Sequence, residues 1–292
     1  TPVGKVLAEQ NRLVVLGEPG AGKSTLLQFI GLTYARGTAA VQEEFGLEED
    51  LCPVRVSLQL TAGAMLTQPE GIVSVLEEAV WALLPGDLAD AKALLADWIK
   101  CGKLAVLLDG LDEIPAENRS GVITKIRALH NKLAAGSSRI IIASRRAGYA
   151  EYPPGKPFAE FSLVPLKPEQ AQQYLQKWLQ FLEVQNADQH AANILEVVRQ
   201  HPALRRMSDN PLALKLLALH FQEKDEQQPS KSARGKVATS RAELYRSWVR
   251  HAWKRARERG ATGDYQAVEE TLVRLAWDQQ MEKPVELSDA EQ

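Results

Sequence analysis

Short apolar runs alternate with amphipathic stretches along the first half of the chain. The runs have the length of buried strands, and the stretches between them carry apolar residues at the three- and four-residue spacing of helices. Alternation of this kind predicts a parallel sheet with helices packed on it. The predicted strands are 13–16, 54–58, 104–108, 139–143 and 161–164, and the predicted helices are 23–36, 71–84, 88–100 and 118–134.

The pattern changes after the fifth predicted strand. Three helical stretches follow, AQQYLQKWLQFL, AANILEVVRQH and PLALKLLALHF, and two more amphipathic helices come later, the first ending at Gly260. Segment 223–240 has almost no apolar residue, which predicts an exposed loop. We therefore expect an α/β domain over 1–165, a helical domain over 166–225, and a loop with the start of a further domain over 226–292.

Composition is that of an ordinary globular chain without a strong attraction to polyanions. Its 292 residues are 45% hydrophobic and 25% charged, and the net charge is -2. A near-neutral chain has no global pull toward nucleic acid or an anionic membrane, and no apolar run reaches the roughly 20 residues of a membrane span. Cys52 and Cys101 lack metal-ligand spacing, as do the five histidines. We expect no protein-built metal site, a cytoplasmic setting, and both cysteines reduced in the core.

Both ends of the sequence are interpreted as cut. The chain begins at Thr1 without a methionine, and a predicted strand follows soon afterwards. Ser288 and Glu291 have the spacing of a capping box, which would open a helix that the chain does not complete. The expectation is a fragment of a longer protein.

A glycine-rich loop stands between the first predicted strand and the helix after it. It fits the pattern G-x-x-x-x-G-K-[ST] without a gap. Glycines let backbone N–H groups wrap a polyphosphate, and the positive end of the helix dipole points at the same phosphates. Lys23 adds a charge for the β- and γ-phosphates, and Ser24 offers a hydroxyl to Mg²⁺. The predicted nucleotide-binding residues are Gly17, Glu18, Pro19, Gly20, Ala21, Gly22, Lys23, Ser24 and Thr25.

Charged residues follow the third and fourth predicted strands. Asp109 comes at the carboxyl end of the sheet, where open α/β sheets bind ligands and where an acid can hold Mg²⁺ through water. Asp112 and Glu113 follow within reach of a γ-phosphate and an attacking water, with a solvated turn and a helix-capping acid as the alternative. Arg145 and Arg146 follow the fourth strand, where a guanidinium can detect a γ-phosphate; a surface arginine is the alternative for each.

The sequences GEPGAGKST, LLDGLDE and IIIASRR, followed by NPLALKLLALH in a helical region, together resemble the NACHT domain. This is the nucleotide-binding switch of NOD-like immune receptors and related bacterial defence proteins, within the STAND ATPases. The resemblance covers nearly the whole chain. Its most specific part is 109–113, because most AAA+ ATPases have a glutamate where this chain has Gly110. It implies a five-stranded parallel P-loop NTPase sheet in the order 5-1-4-3-2, an all-helical subdomain and a partial winged-helix region.

The resemblance also implies roles for the site residues. The glycine-rich loop and Asp109 would hold Mg-ATP, with Ser24 and Asp109 holding the Mg²⁺ largely through water. Asp112 would handle the hydrolytic water, with Glu113 as the lesser candidate. The residues given a catalytic role are Lys23, Asp109, Asp112, Glu113 and Arg145.

Two further matches to the family are incomplete or ambiguous. Arg145 matches the arginine of a T-S-R-P sequence, but the usual threonine and proline are absent from ASRR at 143–146. Pro211 matches a proline that packs near the adenine, although Asn210 and Pro211 also make a good helix-capping pair. No F-x-H-x-x-x-Q-E sequence is present, so the winged-helix histidine of the family has no match here.

The implied function is an ATP/ADP switch that hydrolyses Mg-ATP slowly and controls oligomerisation and effector activation in innate-immune or antiviral defence. Its implied partners are further copies of itself and the effector and sensor domains expected on either side of this sequence. A preference for ATP over GTP rests on family habit, and the short loops favour a bacterial source.

Two other functions stay open at this point. A P-loop kinase needs an acceptor pocket and an arginine-rich lid after the later strands, where this chain has helices. A nucleic-acid-binding ATPase or regulator would use the basic face of a late helix. The apolar residues of that helix and the near-neutral charge instead indicate an amphipathic helix with a solvated basic side. The basic face consists of Arg246, Arg250, Lys254 and Arg257.

Overall fold

The computed structural model describes the chain in two compact units, Thr1–Pro165 and Leu166–Gln292. The described residues are 1–83, 86–133, 136–205, 208–227 and 241–282.

Five parallel strands form the centre of the first unit. They are β1 Arg12–Leu16, β2 Cys52–Ser57, β3 Leu104–Asp109, β4 Arg139–Ser144 and β5 Ala159–Ser162. Their order is β2-β3-β4-β1-β5, which confirms the predicted parallel sheet and its order. Because every strand runs the same way, all their carboxyl ends meet at one edge of the sheet.

One helix precedes β1 and others connect the strands. The helices are α1 Val3–Glu9, α2 Lys23–Ala35, α3 Thr38–Phe45, α4 Leu58–Thr67, α5 Ile72–Trp81, α6 Leu88–Cys101, α7 Ala116–Lys132 and α8 Arg146–Ala150, and a 3-10 turn lies at Leu111–Glu113. The sequence pattern predicted α2, α5, α6 and α7 but not α1, α3, α4 or α8. Of these four, α1, α3 and α8 have only five to eight residues, so their apolar spacing has little length over which to become evident. α4 is as long as α5 but begins directly at the end of β2, without a turn residue to mark its start.

Two of the predicted strands, the second and the fifth, differ by two residues from the observed strands at one end or both. Leu58 was placed in the second strand, but β2 ends at Ser57 and Leu58 is the first residue of α4, with no turn residue between them. The fifth strand was predicted over 161–164, whereas β5 begins at Ala159 because that residue pairs with Leu13 of β1. Pairing with a neighbouring strand, which a local apolar run does not report, sets these limits.

The sheet is buried on both faces. Alternate side chains of β3 point to opposite sides, so Val106 and Leu108 pack with one hydrophobic cluster and Ala105 and Leu107 with another. Burial of each large aliphatic side chain contributes about 1.5–3 kcal/mol to folding. On α2, a Cβ at Gly31 would lie 3.0 Å from Leu107 Cδ1. This close approach fixes α2, and with it the glycine-rich loop, against the sheet.

Two buried arginines lie at the amino end of the sheet. Arg12 donates to His130 Nδ1 at 2.9 Å and to the carbonyl of Leu133 at 2.8 Å. Arg139 pairs with the carboxylate of Glu49 and donates to the carbonyl of Leu7 at 2.7 Å. These bonds tie α1 and the end of α7 to the sheet, on the edge away from the strands' carboxyl ends.

His130 should make stability depend on pH. Burial, and secondarily the charge of Arg12, lower the pKa of His130, so the unfolded chain binds the proton first as pH falls. Its contribution is therefore complete above the unfolded pKa of about 6.5 and is lost as pH falls from there toward the folded pKa. We expect His130→Gln, which keeps an acceptor for Arg12 without titrating, to flatten this part of the profile. Urea unfolding between pH 5 and 8 measures it, and identical profiles would contradict it.

The cysteines are both free thiols in the structure, but they do not both lie in the core. Cys52 is half-buried, whereas Cys101 is exposed at the last residue of α6. The prediction that both are core residues was therefore wrong for Cys101. The buried residues of α6 are Ala91 and Leu95, and at about 100° per residue Cys101 lies away from the face that they form.

The second unit is helical throughout its described residues. Its helices are α9 Pro168–Phe181, α10 Ala187–Gln200, α11 Pro202–Arg205, α12 Pro211–Gln227, α13 Arg241–Glu258 and α14 Tyr265–Glu282. α9, α10 and α12 share one core, which includes Leu175, Ile194 and Leu217. In none of the described residues does a helix combine the length and the apolar character needed to cross a membrane.

The predicted loop over 223–240 begins too early, because its first five residues belong to a helix. α12 continues to Gln227, because glutamate, lysine and glutamine favour a helix even without an apolar face. Residues 228–240 lie outside the described residues, as does the predicted capping box of Ser288 and Glu291. The partial winged-helix domain stays a prediction.

Candidate functional site

The loop between β1 and α2 has the backbone that its glycines permit. Gly20 and Gly22 have φ of +77° and +97°, a region that other residues seldom adopt. No atom lies within 4 Å of where a Cβ of Gly22 would be, so conformation and not crowding requires glycine there. Leu26 N donates to the Gly22 carbonyl at 2.8 Å, which starts α2 directly at the end of the loop. The first N–H groups of α2 have no acceptor within the helix and suit an anion.

The ammonium of Lys23 lies over this loop. Its Nζ donates to the carbonyl of Gly17 at 2.7 Å and to that of Glu18 at 3.0 Å. Burial lowers the pKa of Lys23, while the carboxylate of Asp112 opposes that shift. The loop thus places a cation beside the first N–H groups of α2, which is a suitable arrangement for phosphate oxygens.

Ser24 and Asp109 come together where α2 and β3 meet. Ser24 Oγ donates to Asp109 Oδ1 at 3.0 Å, although the two residues are far apart in sequence. A hydroxyl and a carboxylate are the oxygen donors that Mg²⁺ prefers, so the residues present fit this ion together with bound phosphates. The other oxygen of Asp109 pairs with Arg55 Nη2 at 2.7 Å. Sequence analysis did not identify Arg55 as a site residue. The one sign of it in the sequence is a charged residue between Val54 and Val56 in β2.

Asp112 is held rigidly in the 3-10 turn after β3. Its carboxylate accepts from the backbone N of Arg145 at 2.7 Å and pairs with Arg145 Nε at 3.0 Å. Its carbonyl accepts from Arg119 Nη2 at 3.0 Å. A Cβ at Gly148 would lie 2.5 Å from Asp112 Cβ, so α8 packs directly against this residue. Glu113 is exposed, and we keep it as the lesser candidate.

The two arginines after β4 have different surroundings. Arg145 is the residue before α8 and keeps half of its side chain exposed while it pairs with Asp112. Arg146 instead donates from Nη2 to Ser162 Oγ at 2.7 Å, at the end of β5. Of these two arginines, Arg145 is therefore the one that pairs with a predicted catalytic carboxylate, that of Asp112.

A model of the NACHT domain family matches residues 11–181 of this sequence. The chain belongs to the NACHT family. The match spans the sheet, the glycine-rich loop, the Asp109–Glu113 segment and α9. This NACHT chain is accordingly a nucleotide-binding P-loop NTPase.

Two solved structures show a partial likeness to this NACHT chain. One is the Aeropyrum pernix ORC1 protein in complex with DNA, with 16% identity and a TM-score of 0.45, covering 85% of this chain and 63% of that chain. The other is the FIGL-1 AAA domain in complex with ADP, with 13% identity and a TM-score of 0.37, covering 92% of this chain and 78% of that chain. Neither likeness carries an inference about chemistry. The comparison with curated proteins found no match.

In the second unit of the NACHT chain, Asn210 and Pro211 begin α12. Asn210 Oδ1 accepts from the backbone N of Leu212 at 3.0 Å and of Ala213 at 3.3 Å, as a helix-capping asparagine does. The capping role of this pair is confirmed. Contact between Pro211 and an adenine stays a prediction.

The predicted basic face of α13 is engaged within its own unit. Arg246 pairs with Glu269 at 3.1 Å, Arg250 lies 6.0 Å from the ring centre of Tyr265, and Arg257 donates to the Gly263 carbonyl at 3.2 Å. Because of these contacts, much of the basic face lies against α14 and the turn before it.

Proposed function

We propose that this chain is an ATP/ADP-gated switch that binds Mg-ATP, hydrolyses it slowly and self-associates in its ATP form. The proposal extends to defence signalling in the cytoplasm, with the sensor domain of a longer protein as the input and its effector domain as the output. Its main support is the contact of Arg145 with Asp112, because this contact links a candidate phosphate sensor to the candidate hydrolytic carboxylate.

Binding is assigned to the loop and the residues beside it. The N–H groups at the start of α2 and the ammonium of Lys23 would hold the β- and γ-phosphates. Ser24 and Asp109 would hold Mg²⁺, which neutralises phosphate charge when bound. Phosphoryl transfer depends mostly on the positioning of the phosphates and on the stabilisation of their charge. The hydrogen bonds of Lys23 and Asp109 within the chain would hold their charged groups in place for both.

The γ-phosphate would compete with Asp112 for Arg145. A phosphate oxygen and a carboxylate are both good partners for a guanidinium, so a γ-phosphate can draw Arg145 away. Asp112 would then have a carboxylate oxygen for the attacking water. Without a γ-phosphate, Arg145 would keep its contact with Asp112. The ATP and ADP forms would therefore differ by the exchange of one charge-assisted contact of Arg145 for another. Such a difference biases a two-state equilibrium without driving it to completion.

We expect Arg145→Ala to bind both nucleotides but to lose the difference between them in self-association. Light scattering in ADP and in a slowly hydrolysed ATP analogue measures this loss. Arg146→Ala is the matched control, because it removes the same charge one residue away, from a side chain bonded to Ser162. Equal responses of Arg145→Ala and the intact chain would show that Arg145 is not the sensor.

Neither alternative function gains support from a specific observation. Contacts of the α13 basic face within its own unit leave it less suited to a phosphate backbone. A P-loop kinase would turn over faster than a switch that must hold ATP. We therefore expect steady hydrolysis below about 10 per second, and a higher rate would favour a kinase.

A further inference from the structure

Arg55 lies on β2, the edge strand next to β3. In the parallel pairing, Arg55 stands opposite Leu107 and Ser57 stands opposite Asp109. The arginine therefore reaches along the sheet by two positions to pair with Asp109, from Nη2 to Oδ2 at 2.7 Å. Its side chain is 46% exposed, whereas that of Asp109 is 13% exposed. Arg55 thus approaches the carboxylate from the solvent side.

Both oxygens of Asp109 are engaged by the chain itself. Oδ1 accepts from the Ser24 hydroxyl at 3.0 Å, and Oδ2 meets the guanidinium. A guanidinium stays protonated at every pH that a folded protein survives, so its charge at this position is permanent. A divalent cation that arrives alone therefore meets a carboxylate that is already neutralised, with a positive charge beside it.

Nucleotide phosphates change this balance. A triphosphate brings several negative charges to the same edge of the sheet, where Lys23 and the first turn of α2 receive them. The cation then gains phosphate oxygens as ligands and no longer depends on Asp109 for its charge partner. Binding of the cation at Asp109 is therefore less favourable without the phosphates than with them.

We propose that Arg55 is a built-in counter-ion and positioning residue for Asp109, which weakens the binding of a divalent cation to the site until the nucleotide phosphates are present. This inference rests on the proposed Mg-ATP site. It makes the preference for binding the cation together with the phosphates depend in part on one edge-strand arginine.

Mn²⁺ is the probe, because its unbound form is counted directly by electron paramagnetic resonance. In protein without nucleotide, Arg55→Met should bind Mn²⁺ about three- to fivefold more tightly than the intact chain. Arg55→Lys keeps the charge and should stay close to the intact chain. Arg36→Met is the matched control, since it removes an equal charge at the far end of α2, roughly 18 Å along the helix axis from Ser24.

A second pair of variants shows where the metal binds. Asp109→Asn in the Arg55→Met background should cancel the gain in Mn²⁺ affinity; a gain that survives this change places the metal elsewhere and overturns the inference. Equal Mn²⁺ affinity in Arg55→Met and the intact chain overturns it too, provided both bind ATP in calorimetry with EDTA. If the intact chain does not bind ATP in either EDTA or Mg²⁺, the proposed function fails and the inference with it.

Discussion

Mg-ATP affinity is expected to fall at least about tenfold when Lys23 is replaced by alanine. The side chain places its ammonium over the loop, within 3.0 Å of two loop carbonyls, and no other lysine shares this position in the part of the chain that the structure describes. Its loss leaves phosphate charges without their nearest cation. Charge-assisted contacts of this kind are worth about 1.5–3 kcal/mol, which is the origin of the expected change.

Calorimetric titration with Mg-ATP measures this change. Lys5→Ala serves as the control, because it removes an equal charge from an exposed position on α1. A melting temperature close to that of the intact chain separates lost binding from lost folding. Unchanged affinity in Lys23→Ala would remove the glycine-rich loop as the nucleotide site.

Replacing Asp112 by asparagine should separate hydrolysis from binding. Asparagine keeps the size of the side chain and an oxygen that can accept from the Arg145 backbone, but it loses the charge that is proposed to orient the attacking water. Groups in this role contribute about 10²- to 10⁴-fold to rate, so turnover should fall by that factor while ATP affinity changes little.

Single-turnover hydrolysis with pre-bound ATP measures the chemical step directly. Glu113→Gln is the matched control, as it makes the same chemical change one residue away on an exposed side chain. Normal turnover in Asp112→Asn with a loss in Glu113→Gln would transfer the role to Glu113. Normal turnover in both would remove this segment from the chemistry.

Much of the fold could be predicted because its determinants are local. The strand of apolar residues, the glycines and the lysine all lie within one short stretch, and Asp109 follows directly from the end of an apolar run. Since parallel strands end at one edge, strand order alone brings Ser24 and Asp109 together. The correctly predicted sheet was therefore enough to place these two residues in the site.

The remaining features depend on contacts between distant segments. Arg55 reaches Asp109 from the neighbouring strand, and its own sequence shows only a charge at an alternating position. The pairing of Arg145 with Asp112 depends on how closely α8 packs, which Gly148 allows. The helices α3 and α4 are held by packing against the hydrophobic cores of the first unit, so their positions depend on residues elsewhere in the chain. None of these contacts leaves a periodic pattern in the sequence.

A comparison of ADP with a slowly hydrolysed ATP analogue shows whether the chain changes conformation with its nucleotide. Limited trypsin proteolysis of the intact chain in Mg²⁺ reports whether the two nucleotides produce different conformations, and Lys23→Ala provides the binding-deficient control. If the chain is a switch, its cleavage rates should differ between the two nucleotides in the intact chain and coincide in Lys23→Ala. Identical cleavage of the intact chain, with both nucleotides shown to be bound, would contradict the proposed switch.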